Sequence, residues 1–224
     1  MLGLQNEELV DLMLDSDWVG IDAPFGWPAD FIEAVTTWSK SGAWPEVDRD
    51  KLRFRATDRA VRRKARLPLS VSSDRIAMTA MRCAALLTTY AERRFGAGAQ
   101  VERSGDDHVV EVYPAAALVL WSDEAAGLRL NPQGYKGTSP EAGPRRRVLV
   151  EALELGAAWL DLAGDSRELC IGSDHAIDAL LCSMVARAAE KGITARPGTK
   201  DETMLASVEG WIHLPTSPSL DSLR

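Results

Sequence analysis

Two patterns of apolar residues recur along the chain, and each predicts an element. Leu9, Leu12 and Met13 fall on one helical face behind Asn6, which suits a helix cap, and that helix ends at Asp15-Ser16-Asp17. Trp18-Val19-Gly20-Ile21 is instead an unbroken apolar run, the pattern of a strand buried on both faces of a parallel sheet. Pro24 cannot donate to a ladder, so pairing stops there and Asp22 stands at the carboxyl end of the strand. Phe31, Ile32, Val35 and Trp38 predict a helix over 29–40, broken by Ser41-Gly42 and Pro45. Ser72-Ser73-Asp74 reads as the cap of a long helix carrying Ile76, Met81, Ala84, Leu87 and Tyr90 as far as Gly96. A second strand is expected at Val109-Val110-Glu111-Val112-Tyr113, ended by Pro114.

Beyond it lies a long Gly/Pro/Ser loop over 131–143, holding Tyr135 and Lys136, before Arg145-Arg146-Arg147 opens a helix with Leu149, Leu153 and Leu155. Leu169-Cys170-Ile171-Gly172 reads as a short apolar lead-in to a helix over 173–188. There Ile177, Leu180, Leu181, Met184, Val185 and Ala188 recur at helical spacing. Strands alternating with helices place the chain in the α/β class. Residues 216–224 are rich in Ser and Pro and read as a disordered tail.

Against these elements the acidic residues stand out. A carboxylate at the carboxyl end of a central strand is where open α/β sheets place their chemistry, which nominates Asp22, although a helix cap or turn would also use it. Asp174 and Asp178 lie one turn apart on the border of an apolar stripe, at the helix end where the dipole favours carboxylates. Capping by Asp174 or Ser173 accounts for the first; Asp178 lies inside the helix, where capping does not explain it. Glu111 sits in a β-branched run, where a carboxylate is costly unless it is paired, bound to metal or at an open strand end; the alternative is an edge strand facing solvent.

Length and composition narrow the classes. A chain of 224 residues, 46% hydrophobic and 26% charged, suits one soluble domain with ample core. No apolar run approaches a membrane span and no secretory pattern opens the chain. Cys83, Cys170 and Cys182 are far apart and in no ligand-like spacing, which points to a reducing cytoplasm and away from zinc. The net charge is −7, yet residues 49–66 hold nine basic side chains against Asp50 and Asp58. That segment is either a solvated helix face or a surface for phosphates. The phosphate-binding loop, the nucleophile elbow and the HExxH motif are all missing. His213 reads as structural or surface. Carboxylates without thiols or several imidazoles select hard cations, Mg²⁺ or Mn²⁺, and a pair of such ions can clamp the oxygens of a phosphoryl displacement.

Several stretches carry a resemblance. Gly20-Ile21-Asp22-Ala23-Pro24, Arg55-Ala56-Thr57-Asp58-Arg59, Leu69-Ser70-Val71-Ser72-Ser73-Asp74-Arg75 and Glu111-Val112-Tyr113-Pro114-Ala115-Ala116 come first in order. They are followed by Tyr135-Lys136-Gly137, Asp178-Ala179-Leu180 and Glu209-Gly210-Trp211-Ile212-His213-Leu214-Pro215. In that order the chain resembles the bacterial family catalogued as domain of unknown function 429, a set of predicted nucleases of RNase H-like fold. The resemblance implies a single domain over 1–215, with a mixed sheet flanked by helices and a basic helical insertion around 29–68. Asp22 would match the acid ending the fourth strand and Asp178 the acid on the last core helix, the two of them metal ligands. RNase H-like folds begin with an antiparallel three-strand meander, whereas the residues before Trp18 read as a helix. The meander is therefore expected to be missing, leaving an open strand edge that invites self-association or a partner strand.

The expected function is a metal-dependent nuclease or phosphodiesterase acting on nucleic acid. Asp22 and Asp178 would hold Mg²⁺ or Mn²⁺, Glu111 and Asp174 would be auxiliary acids, and Arg55, Arg59 and Lys136 would contact phosphates. The rival is a non-catalytic binding or assembly protein in which those acids are structural.

Overall fold

The computed structural model describes residues 5–122, 128–162 and 164–224. Its elements in chain order are α1 (Asn6–Leu14), β1 (Val19–Ile21), α2 (Ala29–Ser41), α3 (Arg49–Arg53), α4 (Ala56–Arg62), α5 (Ala77–Phe95) and β2 (Val109–Val112). Then come α6 (Pro114–Trp121), α7 (Ala142–Gly156), α8 (Asp165–Gly172), α9 (Asp174–Glu190), α10 (Lys200–Glu209), β3 (Ile212–His213) and a 3₁₀ turn, Leu220–Leu223. The strands form a small parallel sheet in the order β1-β2-β3, flanked by helices. β2 is the central strand and all four of its residues are buried. Among the described residues β1 is an edge strand and only half-buried, which corrects two expectations: that this strand is the central one, and that both its faces are buried.

By compactness the chain divides into two units. The first comprises Met1–Val19, Ala23–Glu111 and Arg196–Ile212; the second comprises Gly20–Asp22, Val112–Ala195 and His213–Arg224.

In the first unit α1 packs on α5, α4 on α10, and α2 on both α3 and α10. The cap of α1 falls one residue earlier than expected. Gln5 N–H donates to Glu8 Oε2 at 2.7 Å, and the Asn6 side-chain Oδ1 instead accepts from Arg82 Nε at 3.1 Å. α5 begins at Ala77 and not behind Ser72-Ser73-Asp74, because that triplet closes a turn of its own. Asp74 accepts from the Ser70 amide at 2.7 Å, and the Ser72 hydroxyl donates to the Leu52 carbonyl at 2.7 Å.

The polar centre of this unit is built on Arg55, which is 2% exposed. Its Nε and Nη2 donate to the two oxygens of Asp58 at 3.2 and 2.9 Å. Nη2 and Nη1 also take Glu111 bidentately at 2.7 and 2.9 Å, and Nη1 donates to the Glu209 carbonyl at 3.0 Å. Glu111 accepts in addition from the Phe25 amide at 3.0 Å. The buried Glu209 carboxylate accepts from the Ala29 and Ala56 amides at 2.8 and 2.7 Å, and so caps α2 and α4 together. Burial works against the Arg55 charge, but Glu111 and Asp58 outweigh it and hold the guanidinium more firmly protonated than usual. For Glu111, burial pushes the carboxyl up against the pull of Arg55.

In the second unit α9 is the hub, packed by α6, α7, α8 and the 3₁₀ turn. α6 is apolar all round, and Pro114 both ends the strand and occupies the first helical turn, where its missing N–H costs nothing. The stretch Leu169–Gly172, expected as a lead-in, is the end of helix α8. His213 is buried and meets the Thr194 hydroxyl through Nδ1 at 2.8 Å, which removes the surface alternative. The expected disordered tail is corrected. Leu220 and Leu223 are each 1% exposed, and Trp159 Nε1 and Arg187 Nε donate to their carbonyls at 3.0 and 3.1 Å.

Removing the charge of Arg55 would leave Asp58 and Glu111 buried without a cation. Arg55→Met is expected to destabilise the protein by about 3–5 kcal/mol, as breaking a buried ion pair does. The exposed Lys64→Met should move it by no more than about 0.5 kcal/mol. Urea unfolding curves of the two variants, read against wild type, check both values.

Candidate active site

The second unit brings Asp22 and Asp178 together by a backbone contact. Gly20 on β1 lies so close to α9 that a methyl group in its place would fall 2.3 Å from the Cys182 carbonyl oxygen. Asp22 stands two residues beyond Gly20, on the same side of the strand, and Asp178 stands one helical turn before Cys182. The close approach therefore sets the two carboxylates side by side. The Asp22 amide also donates to the Cys182 thiol, which burial, then Asp22 and Asp178, push well above its usual range.

The loop that follows α6 supplies the other half of the cluster. Gly134 and Gly137 take positive φ, 71° and 83°, and between them Tyr135 and Lys136 turn toward the acids. Lys136 Nζ is 2.8 Å from Asp178 Oδ2 and 3.9 Å from Asp22 Oδ2. The buried Tyr135 hydroxyl donates to Asp178 Oδ1 at 2.6 Å. Asp174 accepts from the Gly137 amide at 2.7 Å, and the cap of α9 is Ser173, whose hydroxyl accepts from Ala176 N. Beneath the loop lies Arg146, 7% exposed. It donates to the carbonyls of Tyr135, Gly137 and Ile171 at 2.7, 3.1 and 2.7 Å.

The electrostatics follow from those contacts. Burial pulls the Lys136 ammonium down, but Asp178 and then Asp22 outweigh it, and its pKa is raised. Burial, then Asp178, push the Tyr135 hydroxyl far up, so it stays a proton donor. The Gly137 amide holds the Asp174 carboxyl below its ordinary value. Asp22 and Lys136 remain exposed, at 39% and 48% of the side chain, while Asp178 is at 13%. The cluster is thus an open site with one cation between two carboxylates.

The expected site residues therefore fall into two groups. Asp22, Asp178, Asp174 and Lys136 gather in the second unit. Glu111 and Arg55, expected as an auxiliary acid and a phosphate contact, lie in the ion-pair knot of the first. That is a correction: burial and mutual saturation leave neither a group to offer a substrate. Arg59 is half-buried and donates from Nη1 to the Phe54 carbonyl at 2.5 Å. Tyr135 and Arg146 have roles in the cluster that the sequence reading did not give them. The signal for Tyr135 was its place beside Lys136; Arg146 was concealed within three consecutive arginines. Among the described residues no group of three His, Cys, Asp or Glu side chains is arranged to hold a metal ion. No single described helix is long and apolar enough to cross a membrane.

Fold and cluster define a mixed α/β protein in which a carboxylate just beyond a parallel edge strand and another on a helix face one lysine. The chain belongs to the family described as protein of unknown function, DUF429, which matches residues 6–203. No curated protein and no solved structure matches it.

The Gly20 contact generates a direct expectation. Gly20→Ala should cost about 1–3 kcal/mol, because an added methyl must displace backbone. Gly143→Ala, where an added Cβ meets nothing within 4 Å, should be neutral or stabilise by up to about 1 kcal/mol, because alanine narrows the unfolded ensemble. Thermal unfolding of both variants makes the comparison.

Proposed function

We propose that the chain is a divalent-metal-dependent nuclease or phosphodiesterase of RNase H-like fold, with Asp22 and Asp178 as its working acids. The observation that carries this reading is the meeting of Asp22 and Asp178 on one exposed lysine, at 3.9 and 2.8 Å. Mg²⁺ takes oxygen ligands and is commonly held by one or two carboxylates, with water and substrate phosphate completing its shell. Asp22 and Asp178 supply that donor set, and the placement of Lys136 marks the space between them as favourable to positive charge. With two carboxylates at hand, the set suits one ion completed by substrate, and it falls short of a two-ion clamp. Bound there, Mg²⁺ or Mn²⁺ would supply Lewis acidity at the phosphate and a water of lowered pKa.

The chain's own residues do the rest. Tyr135 holds Asp178 in one orientation through its hydroxyl. Asp174 and Arg146 fix the loop that carries Lys136. Lys136 neutralises the acids at rest and, swung to a phosphate oxygen, holds the substrate as a point charge. The rival reading, a non-catalytic binding protein, is favoured by one observation: the 2.8 Å Lys136–Asp178 pair already satisfies the acid.

Incubating the protein with single- and double-stranded DNA and RNA in Mg²⁺ or Mn²⁺, and resolving the products on gels, tests the proposal. Cleavage is expected in wild type, lost in Asp22→Asn and Asp178→Asn, and reduced roughly tenfold or more in Tyr135→Phe, which only loosens the orientation of Asp178. A folded wild type that cuts none of these polymers, or cleavage undiminished in both Asn variants, would give the cluster to the binding reading.

A further inference from the structure

We propose that the exposed apolar side of α2, together with Trp44 and the basic residues that follow, docks single-stranded nucleic acid by base stacking. The proposal rests on the nucleic-acid reading above and adds the strand form and the surface that selects it. α2 is amphipathic, yet Ala34 is its one fully buried residue. Ile32, Val35 and Trp38 lie on one stripe at 49%, 42% and 53% exposure, and Trp44, two residues beyond the Gly42 that stops the helix, is 52% exposed. Single exposed apolar residues are ordinary on a surface; a helix that turns its apolar stripe outward, with two half-bare indoles, is a binding face.

The charge around it names the occupant. Outside the Arg55 knot, residues 40–66 carry nine basic side chains against Glu46, Asp48 and Asp50. α3 packs against α2 and keeps Arg49, Lys51 and Arg53 exposed, with Lys40 on the last turn of α2 itself. Arg62, Lys64 and Arg66 continue the exposed run, Arg62 lying 3.9 Å from Asp50, while Arg63 is paired with Glu202 at 3.0 Å. Asp48 is engaged in capping α3, through the Asp50 amide at 2.9 Å. On a helical wheel Asp30 and Glu33 fall outside the apolar stripe. A second copy would bring like charge to like charge across this face. A duplex matches the charge but keeps its bases stacked inside, away from indole rings. A single strand offers both parts at once, phosphates for the basic residues and open base faces for Trp38 and Trp44.

Fluorescence anisotropy with a labelled oligothymidylate of about fifteen nucleotides tests this, with the matching duplex as competitor. Wild type should bind the single strand in preference to the duplex, with quenching of tryptophan fluorescence and a steep dependence on salt. Trp38→Ala and Trp44→Ala should each weaken binding roughly five- to hundredfold at unchanged melting temperature, since both side chains are exposed. Asp178→Asn should keep full binding, so loss of cleavage and loss of docking are read separately. Equal or tighter binding of duplex, or affinity indifferent to both tryptophan variants, would overturn the proposal. So would the absence of oligonucleotide binding in a wild type that dimerises through this face or binds anionic vesicles.

Discussion

Arg55 carries five N–H donors, and in the first unit each nitrogen that bears them is engaged. Charges removed from water are costly, and here one cation is buried with three carboxylates, so the arrangement stands only because every carboxylate oxygen accepts at least one hydrogen bond. Glu209 finds its donors at two helix starts, where the peptide dipoles favour negative charge. Glu111 finds its donors in Arg55 and the Phe25 amide. The packing is tight enough that Gly210, at φ +87°, has no room for a side chain: a methyl group there would lie 2.7 Å from Glu111 Oε2. Residues distant in sequence are thereby pinned to one another, and α2, α4, β2 and the end of α10 take their positions from that knot.

The cluster in the second unit obeys the same electrostatics with the opposite outcome. Asp22, Asp178 and Lys136 are held by a backbone contact at Gly20 and by hydrogen bonds from Tyr135 and the loop, yet Asp22 and Lys136 stay open to solvent. An exposed ion pair contributes little to stability and costs little to separate. The knot is saturated and closed, which suits a structural role; the cluster is open, as the proposed exchange of the lysine for a metal ion requires.

Much of the second cluster was legible in the chain. Asp22 ends an apolar run, Asp178 sits where no cap explains it, and Lys136 lies in a Gly-rich loop. Those three signals are local, and each survives without knowledge of the fold. Arg55 and Glu111 were misread because a basic run does not reveal which of its members turns inward. The β-branched run around Glu111 left three outcomes open, pairing among them, and only tertiary contact chose one. α6 escaped because a helix apolar on all sides has no period to detect. The tail escaped because Leu220 and Leu223 are two apolar residues among serines, too few to outweigh the composition around them. Arg146 was hidden in Arg145-Arg146-Arg147, where burial distinguishes one residue that sequence treats as equal to its neighbours.

In the proposed function, Asp22 and Asp178 form a cation site for which Lys136 is the resident charge. Titration of Mn²⁺, followed by electron paramagnetic resonance of the free ion, measures it directly in wild type, Lys136→Met and Asp178→Asn. Lys136→Met is expected to bind Mn²⁺ more tightly than wild type, because the competing ammonium is gone, and Asp178→Asn more weakly. Identical binding in all three proteins, or weaker binding in Lys136→Met, would contradict it.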